Sequence, residues 1–274
     1  MWIRNAALLV ALAAPAVSGA QTDYFNTDRG RPLHVQDAIA IERYAFELQV
    51  APLRWSRSSG SGVWSVEPEL AYGIMPRTQI GIGIPIVHAS DFEGGTRTSP
   101  GALHVSVLHA LNTETLGLPA LAVSAGYAAP VGAFGPPRGY PSFGLLATRT
   151  TSLGRVHLNG DFTAGGEIAA DDDVLESPRV VGIDELSRWM VGTAIDRTFP
   201  LRSVLVGVEL LARQPIVEGS DVQWEAAAGV RWQFDPRWSL DAGLGRSFGP
   251  GGEWSLTFGA ARSFGLIQFM PLGR

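Results

Sequence analysis

The stretch Trp64-Ser-Val-Glu-Pro-Glu-Leu-Ala-Tyr-Gly-Ile-Met-Pro-Arg-Thr-Gln-Ile-Gly-Ile-Gly-Ile-Pro-Ile-Val-His88 decides the fold. In its first half Trp64, Val66, Leu70 and Tyr72 alternate with Ser65, Glu67, Glu69 and Ala71. In its second half Ile80, Ile82, Ile84 and Ile86 alternate with Gln79, Gly81 and Gly83. Period two over two runs joined by a short turn reads as an antiparallel hairpin. One face is apolar with aromatic ends, while the other carries carboxylates, Gln and glycine. When such a pattern fills a chain with little helix to cover it, the solvent of the apolar face is lipid.

Outward from this hairpin the alternation continues in both directions. A first strand over about Tyr44–Trp55 sets Tyr44, Phe46, Leu48 and Val50 against Ala45, Glu47, Gln49 and Ala51. Pro68 lies inside the next strand and donates no ladder bond, so a bulge or weakened pairing is expected there. A loop from Ala89 to Pro100 precedes a fourth strand over Ala102–Leu111. Further strands follow near Ala120–Ala129, Phe143–Ala147, Val156–Thr163, Trp189–Ile195, Val204–Leu210, Gln223–Phe234, Ser239–Leu244 and Trp254–Ala260. The connections Gly73–Thr78, Asn112–Pro119, Thr151–Gly154, Asp196–Leu201 and Asp235–Arg237 are all short, and the long loops fall between the other strand pairs. Short turns at one end, long loops at the other and both termini on the short side describe an up-and-down barrel of about 12 strands, of outer-membrane type. Ile82, Ile84, Leu240 and Leu256 are expected on its lipid face. Trp55, Trp64, Tyr72, Tyr127, Trp189, Trp224, Trp232, Trp238 and Trp254 fall mostly near strand ends, where interfacial girdles need amphipathic rings.

Residues 1–20 read as a signal peptide: Arg4, the apolar run Ala6–Pro15 and a small-residue cleavage site at Ser18-Gly19-Ala20. The chain is therefore expected to be exported to the outer membrane, with cleavage near Ala20. Residues 21–43 form a non-alternating N-terminal segment on the periplasmic side, 44–264 the barrel and 265–274 a tail. Within the N-terminal segment, Val35–Ile41 is compatible with a short helical turn. There is no cysteine and no lysine, and the net charge is −5, which argues against a nucleic-acid partner. Charged residues make up 17% and mean hydropathy is +0.12, which fits strands apolar on one side only.

Several segments resemble a family of outer-membrane barrels and transporters named after the meta-pathway of phenol degradation. They are Leu111-Asn-Thr-Glu-Thr115, Pro119-Ala-Leu-Ala122, Pro130-Val-Gly132, His157-Leu-Asn159 and Asp196-Arg-Thr-Phe-Pro-Leu-Arg202. The resemblance runs over nearly the whole exported chain and implies a porin-like or transporter role. Outer-membrane barrel chains often stop at a terminal aromatic, whereas ten residues follow Phe264 here.

The expected inward face carries Glu47, Gln49, Glu67, Glu69, His157, Asp161, Glu209, Glu225, Arg231 and Asp241. Such residues either line an aqueous path with a weak cation preference or pair with one another in a closed lumen. Inward glycines such as Gly81, Gly83, Gly126, Gly165, Gly207, Gly229, Gly243 and Gly245 leave room for water, solute or chain. Arg29, Arg31 and Arg43 precede the first strand, and crowded carboxylates need cations. The N-terminal segment is therefore expected to act as a partial plug, with Arg29 or Arg31 against Glu67 and Glu69. The functional expectation is passage of an unidentified small solute, with outer-membrane lipid as partner and no cofactor. An anchor barrel that displays loops, and an outer-membrane lipid hydrolase, are the alternatives. No phosphate loop occurs, and the five histidines have no metal-ligand spacing, so no catalytic residue or metal site is assigned. Asp171-Asp-Asp173, with Glu167 and Glu176, reads as a solvated loop, or as a set of hard oxygen ligands for a divalent cation.

Overall fold

The computed structural model describes residues 26–58, 61–92, 95–169, 186–248 and 252–265. The expected signal peptide, the acidic run from Asp171 to Glu176 and the tail beyond residue 265 lie outside them.

The described chain is a closed antiparallel barrel of 12 strands. They are β1 (Ala45–Ser58), β2 (Ser61–Met75), β3 (Thr78–Gly83 continued by Ile86–Phe92), β4 (Gly95–Pro100 continued by Leu103–Asn112), β5 (Ala120–Ala129) and β6 (Tyr140–Thr150). Then follow β7 (Arg155–Thr163), β8 (Ser187–Phe199), β9 (Val204–Pro215), β10 (Gln223–Asp235), β11 (Trp238–Phe248) and β12 (Trp254–Gly265). Each strand pairs with its sequence neighbours, and β1 bonds both β2 and β12, which closes the wall. Closure leaves no edge strand, the condition for a sheet surrounded by hydrocarbon.

Period two sorts the side chains. Along β10, Trp224, Val230, Trp232 and Phe234 are exposed on the outer face, whereas Glu225, Arg231 and Gln233 are buried inside. Ile82 and Leu240 are likewise exposed outside, and Leu256 shares the outer face with Trp254 and Phe258. The usual soluble arrangement is inverted, with apolar groups outside and charged groups within. Outer aromatics cluster at strand ends, as where Trp55 and Trp64 face each other across β1 and β2 at 6.1 Å.

Two irregularities have simple causes. Register slips on both sides of β1, between Val50 and Leu53 against β2 and between Gln49 and Leu53 against β12, opposite the strand position of Pro68. This is the bulge expected from a proline without a donor. The expected loop Ala89–Pro100 is instead a hairpin: β3 and β4 continue past breaks at Ile84-Pro85 and Gly101-Ala102, pairing Ile86 with Pro100 and Val87 with Ser99. His88, Ser90 and Asp91 hid this extension, because a wall rising out of the apolar zone needs no apolar face. At the break, Gly101 N–H donates to Pro85 O at 2.8 Å, and a side chain at 101 would press on the Pro85 ring.

At the loop end, residues 130–139 fold inward. Phe134 N–H donates to Pro100 O at 3.3 Å, and the Phe134 ring is buried against Val87 and Ala89. Tyr140 packs with Ile168, Ile216 and Val217 in a second apolar cluster at this end.

Candidate functional site

Residues 26–43 do not continue the wall. They run in extended form round its inside, near the short-turn end. The expected helical turn at Val35–Ile41 is absent, because wall side chains take the donors a helix would use internally. Glu209 Oε2 accepts from the N–H groups of His34 and Val35 at 2.8 and 2.9 Å. Asn159 bonds both backbone groups of Gln36 at 2.8 Å, Oδ1 accepting and Nδ2 donating. Ala38 N–H donates to Thr148 Oγ1 at 2.9 Å, and Ile41 N–H to Gln79 Oε1 at 2.8 Å. Tyr44 N–H then reaches Gly73 O at 2.7 Å, where β1 begins. From Arg31 onward the segment thus meets β10 and β11 first, and then β9, β7, β6, β3 and β2 in turn.

Glycines make the bed for it. A β-carbon at Gly192 would strike Val35, one at Gly207 would strike Leu33, and one at Gly229 or Gly243 would strike Pro32. Four neighbouring strands, β8 to β11, each present a glycine to the segment, and chain fills the room those glycines leave. Leu33 and Val35 are buried there with Ala194 and Ala227.

The segment's charges meet the wall's. Arg31 is fully buried, with its guanidinium 2.7 Å from Asp241 Oδ2 and 3.4 Å from Glu47 Oε1. Arg231 binds the other Asp241 oxygen at 2.5 Å, reaches Asp28 at 3.1 Å and donates to the carbonyl oxygens of Asn26 and Arg31. Glu47 also accepts from Gln49 and Ser263, each at 3.1 Å. Buried guanidiniums and carboxylates are tolerable only in such saturated sets. Arg29 pairs with Asp161 at 2.7 Å, and His34 Nδ1 lies 2.9 Å from Glu209 and 3.7 Å from Glu225.

The arginines therefore do not contact the carboxylates expected of them. Arg31 is held by Asp241 and Glu47, and Arg29 by Asp161, instead of Glu67 and Glu69. Arg43 lies over the Tyr44 ring at 4.4 Å and is exposed. The expectation followed neighbours in sequence, whereas closure brings β11 and β12 round to β1. Glu67 is paired instead with His104 at 3.1 Å, and Glu69 lies over Gly81 with no ion-pair partner among the described residues.

Asp28, Asp37, Arg155 and Asp196 are further charged groups of this interior that the sequence reading did not single out. Asp37 accepts from the Thr27 and Ile39 N–H groups and lies 3.6 Å from Arg155. Burial pushes its carboxyl up to about 6, with Arg155 and His157 opposing. Hairpin register would have revealed one of the pairs, since the tight turn at Pro236-Arg237 sets Arg231 opposite Asp241; Arg155 meets Asp196 across β7 and β8, which residues 164–186 separate in sequence.

Thr148, His157 and Asp196 have the spacing of a nucleophile, base and orienting acid: His157 Nδ1 lies 3.0 Å from Thr148 Oγ1 and its Nε2 2.9 Å from Asp196. All three are buried on the inner face, and Thr148 Oγ1 already accepts from Ala38 N–H. A lipid on the outer wall does not reach this hydroxyl. Its role here is to hold the segment.

No family model matches the chain, and no curated protein matches it. Its fold is similar to the crystal structure of an outer-membrane channel from Pseudomonas putida F1, with a TM-score of 0.54, 15% identity, and coverage of 87% of this chain and 100% of that one. Weaker likenesses are the KdgM porin (TM-score 0.47, 12% identity, 80% and 99% coverage) and outer membrane phospholipase A from Escherichia coli (0.44, 10%, 82% and 94%). At such identities the likeness concerns fold alone: the chain has the fold of the outer-membrane β-barrels.

Proposed function

We propose that this protein is a porin-like channel of the outer membrane that passes a small solute, with residues 26–43 obstructing its short-turn end. The observation that carries this reading is the way the segment is held. Its backbone is bound by wall side chains and seated on glycines, whereas β-strand pairing builds the wall itself. A barrel can lose such a contact set and keep its ladder. Glu67, Glu69 and His104 line the interior beside it, and the inward carboxylates favour cations weakly over anions. No cofactor enters this reading.

The test is conductance in planar bilayers, for the full chain and for a chain lacking residues 22–40. Deletion is expected to raise conductance severalfold and to leave the barrel folded. A second reading, an anchor that moves nothing, draws on the density of buried ion pairs round Arg31 and Arg231. Absence of conductance and of liposome flux in both chains would replace the channel by the anchor.

A further inference from the structure

The short turns carry a feature that neither transport nor closure requires. Leu116, Leu153 and Leu201, each in a different turn, are 100%, 73% and 103% exposed. These turns join β4 to β5, β6 to β7 and β8 to β9, three successive positions on one rim. Arginines accompany them, with Arg149 flanking the first two turns and Arg202 following Leu201.

The first of these turns is held in shape. Asn112 Nδ2 donates to Pro119 O at 2.8 Å and closes its neck. Arg149 donates to the carbonyl oxygens of Thr115 and Leu116, each at 2.6 Å, and of Leu118 at 3.1 Å. Glu114 accepts from Thr150 N–H and Oγ1–H, both at 2.7 Å. Arg149 lies on the outer face of β6, because Leu146 and Thr148 on either side of Ala147 point inward and are buried. A loop bound by an outward side chain sits beside the wall's outer surface, below the apolar belt. Leu116 and Leu118 there continue the exposed outer row of Leu111 and Leu121, as Leu201 continues that of Ile195 and Phe199.

We propose that this rim is a phospholipid-binding collar: the turn leucines reach the acyl-chain boundary of the inner leaflet, Arg202 and Arg237 on the turns themselves meet its phosphates, and Arg149 holds the first turn in place. Two observations favour lipid as the occupant over a periplasmic protein. Turns two strands apart stand about 10 Å from each other, given a strand spacing of about 4.8 Å. The leucines are thus spread along the rim, which suits a continuous fluid partner better than a protein patch. The apolar surface is also continuous with the belt above it, and guanidiniums complement phosphate in charge and geometry.

The chain has no cysteine, so single Leu116→Cys, Leu153→Cys and Leu201→Cys variants can each carry one spin label. They are measured in the full chain, reconstituted into phosphatidylethanolamine vesicles with and without phosphatidylglycerol. Labels at the three positions are expected to be more accessible to oxygen than to a water-soluble nickel chelate, and deeper when phosphatidylglycerol is present. A Glu218→Cys label, at the opposite end, serves as the aqueous reference. Arg149→Gln in the Leu116→Cys chain should move that one label into water, while labels at 153 and 201 stay in lipid. Chelate accessibility matching the reference at all three positions overturns the proposal. Labels that are aqueous in vesicles but shielded by a periplasmic extract also overturn it, in favour of a protein partner.

Discussion

Arg231 and Glu69 are both charged, both on the inner face and both predicted to be there, yet they sit in opposite surroundings. Arg231 touches Asp241, Asp28 and two carbonyl oxygens and is almost wholly buried. Glu69 lies over a glycine with no ion-pair partner among the described residues. The difference is not in the wall, whose alternation is the same at both places. It lies in residues 26–35, which fill the sector from β8 to β1 and leave the sector of β2 to β4 lined by Glu67, Glu69 and His104. One inward polar pattern thus serves both as packing and as lining, according to whether a second piece of chain covers it.

The largest effect is expected from breaking the packed sector. Arg231→Ala takes a donor from two carbonyls and leaves both Asp28 and Asp241 with Arg31 alone. Removing one partner of a buried ionic set costs roughly 3–5 kcal/mol. Urea unfolding of the detergent-solubilised protein should show a loss of this order, part of it recovered in the Arg231→Ala, Asp241→Ala double variant. A loss under about 1 kcal/mol would mean that water already reaches the cluster.

Next comes a change that leaves every charge in place. Gly229→Val puts a branched side chain where Pro32 lies. Overpacking costs about 1–3 kcal/mol, and the segment should yield before a strand paired on both sides does. Trypsin should then cut after Arg29 in the folded variant and spare it in the parent. Equal protection in both would show that the wall moves instead, and the two sectors would then be less independent than the comparison implies.

The contrast between sectors also marks what could be read in the sequence. Strands were legible wherever lipid dictates an apolar face, as from Gln223 to Phe234. The hairpin at 86–100 was not, because nothing outside the apolar zone enforces alternation. Inward residues such as Glu209 and Asp241 were legible from the same period. Their partners were not, since His34 and Arg31 lie in a segment with no period. Four glycines facing one chain segment are visible only after closure, although the Arg231–Asp241 pair follows from counting back from the turn at Pro236-Arg237.

A smaller effect concerns pH. Asp37, buried in the segment, has its carboxyl pushed up to about 6 from 3.8 by burial, against Arg155 and His157. The folded state therefore binds this proton more tightly than the unfolded one. The contribution is fully present below about pH 4 and lost as pH rises through 6, a change of roughly 3 kcal/mol at most. Protection of Arg29 from trypsin should accordingly be stronger at pH 5 than at pH 7.5, and conductance lower. Asp37→Asn should flatten both dependences; a variant as pH-sensitive as the parent would show that Asp37 is not the source of the effect.

The smallest effect on stability should come from the lining sector, where the effect on function should be clearest. Glu69 makes no ion pair among the described residues, so Glu69→Gln should change the unfolding midpoint little, within about 0.5 kcal/mol. Its carboxylate still projects over Gly81 beside Glu67, whose own charge is partly met by His104 at 3.1 Å. Removing the less compensated of two neighbouring charges weakens the field that attracts cations, and this field acts over about 10 Å in 0.1 M salt. Reversal potentials in a potassium chloride gradient should move toward zero cation preference, more so at low salt, in the chain lacking residues 22–40 where current is large enough to measure. Glu47→Gln in the same chain loses its Arg31 partner by the deletion itself and serves as the counterpart from the packed sector. If Glu47→Gln shifts selectivity and Glu69→Gln does not, ions pass along β1 and β12, and the sector of β2 to β4 is a bystander to the path.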